Sequence, residues 1–204
     1  AILSKNNPLG DVMFGVDNTF LSRALENDLF IPYDSPQLTN IDDSFKLAPN
    51  NQALPVDFGD VCLNYDVAWF AESDLEPPQT LEDLADPAYA DLTVVENPAT
   101  SSPGLAFLLA TIAHFGEDGY LPYWEQLNNN GLLVTNGWSE AYYGEFTATS
   151  EGTRPIVVSY ASSPPAEVIF AETELTEAPT AAVVTDGTCF RQIEFVGILQ
   201  GTEN

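Results

Sequence analysis

"LTVVENPATSSPGLAFLLATIAHF", residues 92–115, packs a strand, a polar turn and a helix into one short stretch. Residues 92–97 are an apolar run of strand length, as expected for a strand buried on both faces. Residues 105–115 are apolar almost all round, so they predict a buried helix. Between them, Pro103 suits a first helical position, with Thr100, Ser101 and Ser102 before it. The rhythm then repeats. "GLLVTN" (131–136) reads as a strand and "WSEAYYGEFTAT" (138–149) as a helix. "PIVVSY" (155–160) is a third strand and "SSPPAEVIF" (162–170) a further turn and short helix. Alternation of this kind predicts an α/β fold with a mainly parallel sheet and flanking helices.

The flanks fit the same plan. Residues 11–16 read as a short strand, and 18–29 as an amphipathic helix with Asn18 as its N-cap. Residues 32–52, rich in Pro, Asn, Asp and Ser, form an irregular connection. Residues 53–70 read as a long β-type stretch interrupted at Gly59. Thr80 would cap a short helix ending before Pro87, and 119–130 would continue the helix at 105–115, whole or broken. Residues 180–186 and 189–199 close the chain with two late strands.

Bulk composition narrows the function. Of 204 residues, 45% are apolar, enough for a real core. No apolar run reaches the roughly 18–20 residues of a membrane span. Residues 1–15 show no basic segment followed by an apolar one, so no signal peptide is visible in them. With 31 acidic against 5 basic residues the net charge is −26. That argues against nucleic acid as a partner, since phosphates need clustered Lys and Arg, and equally against an anionic membrane. Solubility, or adaptation of a secreted protein to acid or salt, accounts for such a charge, and steering of a cationic ligand is compatible with it. The single histidine, His114, and the two cysteines, Cys62 and Cys189, offer no zinc-type cluster. The cysteines would form one disulfide in a secreted chain and remain two buried thiols in a cytosolic one.

In such a fold ligands bind at the carboxyl ends of the strands. Three turns fall there: "NPATSSPG" (97–104), "NGWSEAY" (136–142) and "SYASSPPAE" (159–167). Each puts hydroxyls and unpaired backbone N–H groups near a helix N-terminus, which holds an anion without any Lys or Arg. Ordinary N-capping by Ser and Thr would account for one such turn. Two Ser-Ser-Pro turns at parallel positions point to a polar pocket, with Ser162 and Ser163 before Pro164 matching the first turn. Trp138 and Tyr160 add flat faces for a cationic or heteroaromatic ligand, although a core role fits them equally well. No nucleophile elbow, phosphate-binding glycine loop or dinucleotide fingerprint is present, so catalysis has little support.

At these turns the chain resembles the substrate-binding proteins of thiamine ABC transporters. The resemblance rests on "DVMFGVDNTFLSRAL", "LPVDFGDVCLNYD", "PPQTLEDLADPAY", "NPATSSPGLAFLLATI", "TNGWSEAYYGEF", "VVSYASSPPAE" and "CFRQIEFVGILQGT", in the family order. It implies a type II periplasmic-binding-protein fold, whose two α/β lobes close on a ligand without chemistry. Residues 1–57 would be part of lobe 1, 58–187 lobe 2, and 188–204 a return hinge strand into lobe 1. The family pattern further implies a chain truncated at both ends, whose cut lobe-1 surface could support a dimer. Ligand contacts would fall on Thr100, Ser101, Ser102, Trp138, Tyr160 and Ser162 of lobe 2, and on Asp17 and Asn18 of lobe 1. Pro165, Ala166 and Glu167 stand where some family members carry an aromatic, which leaves room for a related ligand. The resemblance also implies a Cys62–Cys189 disulfide between the hinge strands, no cofactor, and an ABC permease as partner. The location implied is periplasmic or extracellular, with a lipid anchor as one form of the full-length protein. Iron, a polyamine or another small cation is the alternative cargo. A thiamine-degrading enzyme with a cysteine nucleophile is the rival outside transport.

Overall fold

A computed structural model describes residues 1–202. Positions 203 and 204, the end of the expected return segment, lie outside the described residues. Along the chain the main elements are β1 (Val12–Asp17), α1 (Leu21–Glu26), β2 (Phe30–Ile31), β3 (Leu54–Asp66), α2 (Val67–Glu72) and β4 (Thr93–Glu96). They continue as α3 (Ser102–Asn129), β5 (Leu133–Thr135), α4 (Trp138–Glu140), β6 (Ile156–Tyr160), α5 (Ser163–Ile169), β7 (Thr180–Val183) and β8 (Phe190–Leu199). The chain divides into two compact units, the first Ala1–Phe58 with the residues from Gln192 onward, the second Gly59–Arg191.

In the first unit β8 runs antiparallel to β1, from Val12↔Ile198 to Asp17↔Glu194, and to β2. Val16, Leu21, Leu29, Phe30, Ile193 and Phe195 form its core. Gly197 is needed where β8 passes β2, because a Cβ there would sit 2.4 Å from the Phe30 ring. The helix expected at 18–29 is shorter, and Asn18 does not cap it. Its backbone N–H instead donates to the Ile193 carbonyl, and its Oδ1 accepts from the Ile193 N–H, both at 3.0 Å. Asn18 thus extends the β1–β8 pairing, which takes it out of the helix. The irregular connection contains three short 3₁₀ turns, two of them capped by Ser35 and Asp42.

The second unit carries the parallel strands. β4 pairs in parallel with β5 (Val94↔Leu133) and with β6 (Thr93↔Ile156). β3 runs antiparallel to β6 and to β7, so the sheet is mixed, its parallel ladders joining the strands that lead into the three turns. Side-chain alternation feeds both faces. Val95, Ile156 and Val158 join Leu63, Phe107, Tyr123 and Leu127 on one side. Val94 and Val157 join Ala141, Tyr142 and Phe146 on the other.

Three local differences from the sequence pattern stand out. The β reading of 53–70 holds through Gly59 to Asp66 and then gives way to α2. Asp66 Oδ1 accepts from the Trp69 N–H at 3.0 Å, an N-cap, and its Oδ2 accepts from the Thr147 hydroxyl at 2.5 Å. The segment after Thr80 is a 3₁₀ turn, Glu82–Ala85, too short to become an α-helix before Pro87. The helix expected at 138–149 ends early, as α4 followed by a π-type turn over Ala141–Glu145. By contrast, 102–129 is the broken helix allowed for, kinked at Gly116, whose φ of +73° only glycine adopts cheaply. Cys62 and Cys189 are joined in a disulfide, Cα atoms 4.4 Å apart across 127 residues of chain. In the chain-entropy account a loop of that size contributes about 4–5 kcal/mol.

Candidate functional site

The first turn is drawn tight by Asn97. Its side chain accepts from the Ala99 N–H at 2.9 Å, and its carbonyl accepts from the Thr100 and Ser101 N–H groups at 3.0 Å. Thr100 Oγ1 donates to the Asn136 carbonyl at 2.7 Å, which ties this turn to the next. Ser101 is extended and buried, its hydroxyl making no capping bond, and Ser102 and Pro103 open α3 behind it. Gly104 lets the helix close onto the strand, since a Cβ there would lie 2.4 Å from the Glu96 carbonyl oxygen. The N-terminus of α3 therefore sits directly over the end of β4, its first N–H groups lacking helical partners.

The second turn places Trp138. Its Nε1 donates to Ser159 Oγ at 2.9 Å, and that oxygen shares a 2.9 Å hydrogen bond with Ser163. The indole stacks on Tyr142, with centroids 4.8 Å apart and planes 20° apart, and meets Tyr143 edge-on at 5.3 Å. The third turn is built differently. Ser162 is exposed and makes no side-chain cap, while Ser163 points to Ser159. Tyr160 is half-buried beside Gly59, and its carbonyl accepts from Asn64 Nδ2 at 3.0 Å.

Thr100 is thus linked to the second turn, and Trp138 to the third. The serine that reaches Trp138's partner is Ser163, not Ser162. The sequence reading missed a cavity of about 260 Å³ lined by Trp138, Tyr142, Tyr143, Ser163, Glu167 and Phe170. The i, i+4 pairs Trp138/Tyr142 and Ser163/Glu167 were its available signal. Glu167 Oε1 accepts from the Tyr142 hydroxyl, and Oε2 accepts from Thr180 Oγ1 at 2.7 Å. Burial, and then the Glu167 carboxylate, hold the Tyr142 hydroxyl well above its ordinary pKa, so it stays a donor.

Behind the first turn lies a second carboxyl group. Glu96 is fully buried, pairs across β5 with Thr135, and has no hydrogen bond to either carboxyl oxygen. Burial pushes its pKa up to about 8, so it is largely a neutral acid at pH 7. In the first unit, Asp17 is buried and accepts from the Thr19 N–H at 2.8 Å and from the Thr19 hydroxyl. Asp17 pairs across β8 with Glu194, whose pKa is raised by burial and then by Asp57 and Asp17. Asn18 is held by Ile193, as described above. His114 lies 2.8 Å from Glu82, and its hydrogen bond is the main cause of that carboxyl's lowered pKa. Among the described residues no group of three or more His, Cys, Asp or Glu side chains could hold a metal ion.

Residues 7–177 match the family described as bacterial extracellular solute-binding protein. A thiamine-binding periplasmic protein of Haemophilus influenzae is 34% identical over 155 residues, 76% of this chain and 43% of that protein. One of Brucella abortus is 30% identical over 176 residues, 84% and 48% of the two chains. The chain spans less than half the length of these curated relatives. Among solved structures, a periplasmic thiamin binding protein superposes with a TM-score of 0.77 at 26% identity, over all of this chain and 59% of that one.

Proposed function

The chain belongs to the bacterial extracellular solute-binding protein family, and from that premise we propose that it binds thiamine or a thiamine phosphate for an ABC importer. The cationic ring meets the aromatic face at Trp138 and Tyr160. The hydroxyl or phosphate meets Thr100, Ser101 and Ser102 at the start of α3, with Ser162 at the third turn. The observation that carries this reading is the fixed indole of Trp138. It is held by Ser159 and Tyr142 at a strand end whose neighbouring turn is bonded to it through Thr100.

No bond is made or broken in this role. With Cys62 and Cys189 joined, the described chain has no free thiol to serve as a thiamine-attacking nucleophile. A disulfide also suits the oxidising compartment named for the relatives, and we place the protein in the periplasm or outside the cell. No described helix is long and apolar enough to cross a membrane. Calorimetric titration with thiamine, thiamine monophosphate, ferric iron and spermidine tests the proposal. A saturable heat with a thiamine compound, and none with iron or the polyamine, is expected. The reverse ranking would replace thiamine with a different cargo.

A further inference from the structure

The cavity beside Trp138 has a chemistry of its own. Its walls are the stacked Trp138 and Tyr142, with Tyr143 edge-on to both rings. Its rim is exposed, Tyr143 at 60% and Phe170 at 82%, so a ligand reaches it from solvent. One carboxylate, Glu167, lines it and is fixed at both oxygens by neutral hydroxyls, those of Tyr142 and Thr180. Neither hydroxyl balances its charge. The second unit contains only two permanently charged cations, Arg154 and Arg191. Arg154 faces Asp91 at 3.7 Å and bonds to the Gly131 carbonyl, and Arg191 grips Asp60 with two hydrogen bonds. His114, the remaining basic side chain, is engaged by Glu82. The carboxylate therefore faces an aromatic-walled hollow and has no counter-ion within the second unit. The cavity's 260 Å³ accepts a single heteroaromatic ring.

We propose that this cavity is a subsite for a delocalised organic cation, an aromatic ring bearing a permanently positive nitrogen, with Glu167 as the residue that discriminates the cation from its neutral analogue. Aromatic faces attract such a cation through their quadrupoles, and a strongly hydrated ammonium loses more water to enter. Glu167 supplies the charge. Phe170 and Tyr143 close the rim. The inference deepens the thiamine reading by assigning the positive ring to the cavity between Trp138 and the third turn, lined by Ser163 and Glu167, and it rests on that reading only for the identity of the natural ligand.

The test uses two small probes of nearly equal shape, 1-methylnicotinamide, which is a cation, and nicotinamide, which is neutral. Ligand and protein NMR shifts give both affinities for the wild type and for Glu167→Gln. The cation is expected to bind at least about tenfold more tightly, which is about 1.4 kcal/mol. Glu167→Gln should abolish that preference while leaving the weak neutral binding in place. Equal binding of the two probes, or a preference that survives Glu167→Gln, overturns the proposal. If Glu167→Gln does not fold, Tyr143→Ala on the exposed rim takes its place. It should weaken the cation several-fold, and no change would count against the cavity. Thiamine titrated into the same variant separates the two claims. Thiamine binding untouched by Glu167→Gln removes the subsite and leaves the transport reading standing. Binding of 1-methylnicotinamide without thiamine binding does the opposite.

Discussion

The two Ser-Ser-Pro turns read alike in sequence and are built differently. In the first, Ser101 is buried and extended, and it leads into the 28-residue element α3. In the third, Ser162 is exposed and already helical, and it leads into the seven residues of α5. What lies behind them differs as well. β4 ends on Glu96, buried without a partner, whereas β6 offers Ser159, which is bonded to both Trp138 and Ser163. Hydroxyls next to a proline therefore do not define a site. The residue ending the strand and the glycine or proline after the turn decide where each hydroxyl goes. The first turn is set close against its strand, and the third joins the aromatic cluster.

The largest expected effect acts on the sheet both turns share. Reducing the Cys62–Cys189 disulfide, or replacing both cysteines by serine, should cost about 4–5 kcal/mol in urea unfolding. A loss below about 1 kcal/mol would mean that the loop it closes is already restrained in the unfolded chain. The second effect isolates the strand ends. Glu96 keeps its proton up to about pH 8 when folded, and releases it near 4.5 when unfolded. The unfolded state then binds fewer protons between those values, so stability falls as pH rises through that window. Melting temperatures from pH 5 to 9 should show this decline in the wild type and a shallower one in Glu96→Gln. Parallel curves would mean that Glu96 titrates normally and that the first turn is not set on a buried acid.

A third, smaller effect contrasts the turns directly. Gly104→Ala forces a methyl group against the Glu96 carbonyl and should cost about 1–3 kcal/mol. Pro165→Ala, the matching change in the third turn, falls at an exposed position and should change stability by under about 0.5 kcal/mol. Similar costs at both sites would erase the distinction between a turn pressed onto its strand and one that is not.

Much of the scaffold was legible in the sequence. "LTVVEN", "GLLVTN" and "PIVVSY" each contain a strand, and the glycine and prolines marked the turns, because apolar runs and backbone punctuation are local signals. That Asn18 holds Ile193 at the end of the β1–β8 pairing rather than capping a helix was not legible, because its partner is 175 positions away. The same holds for Asp66, which turns a β-like run into α2 with help from Thr147, 81 residues on. The site divides along the same line. Trp138 stood out for its place at a helix start. Glu167 was marked only as standing near where some relatives carry an aromatic, and only the fold brings it to Tyr142 and Thr180.

The central claim is that Trp138 forms part of the wall against which a thiamine-type ligand binds. The chain has three tryptophans, so Trp69→Phe with Trp124→Phe leaves Trp138 as the sole indole reporter. Titrating that variant with thiamine, with calorimetry in parallel, reads the claim at the residue itself. Emission from Trp138 should be quenched along the same saturation curve as the heat of binding. Heat without any change in Trp138 emission would move the ligand elsewhere, and the absence of both would contradict the thiamine reading outright.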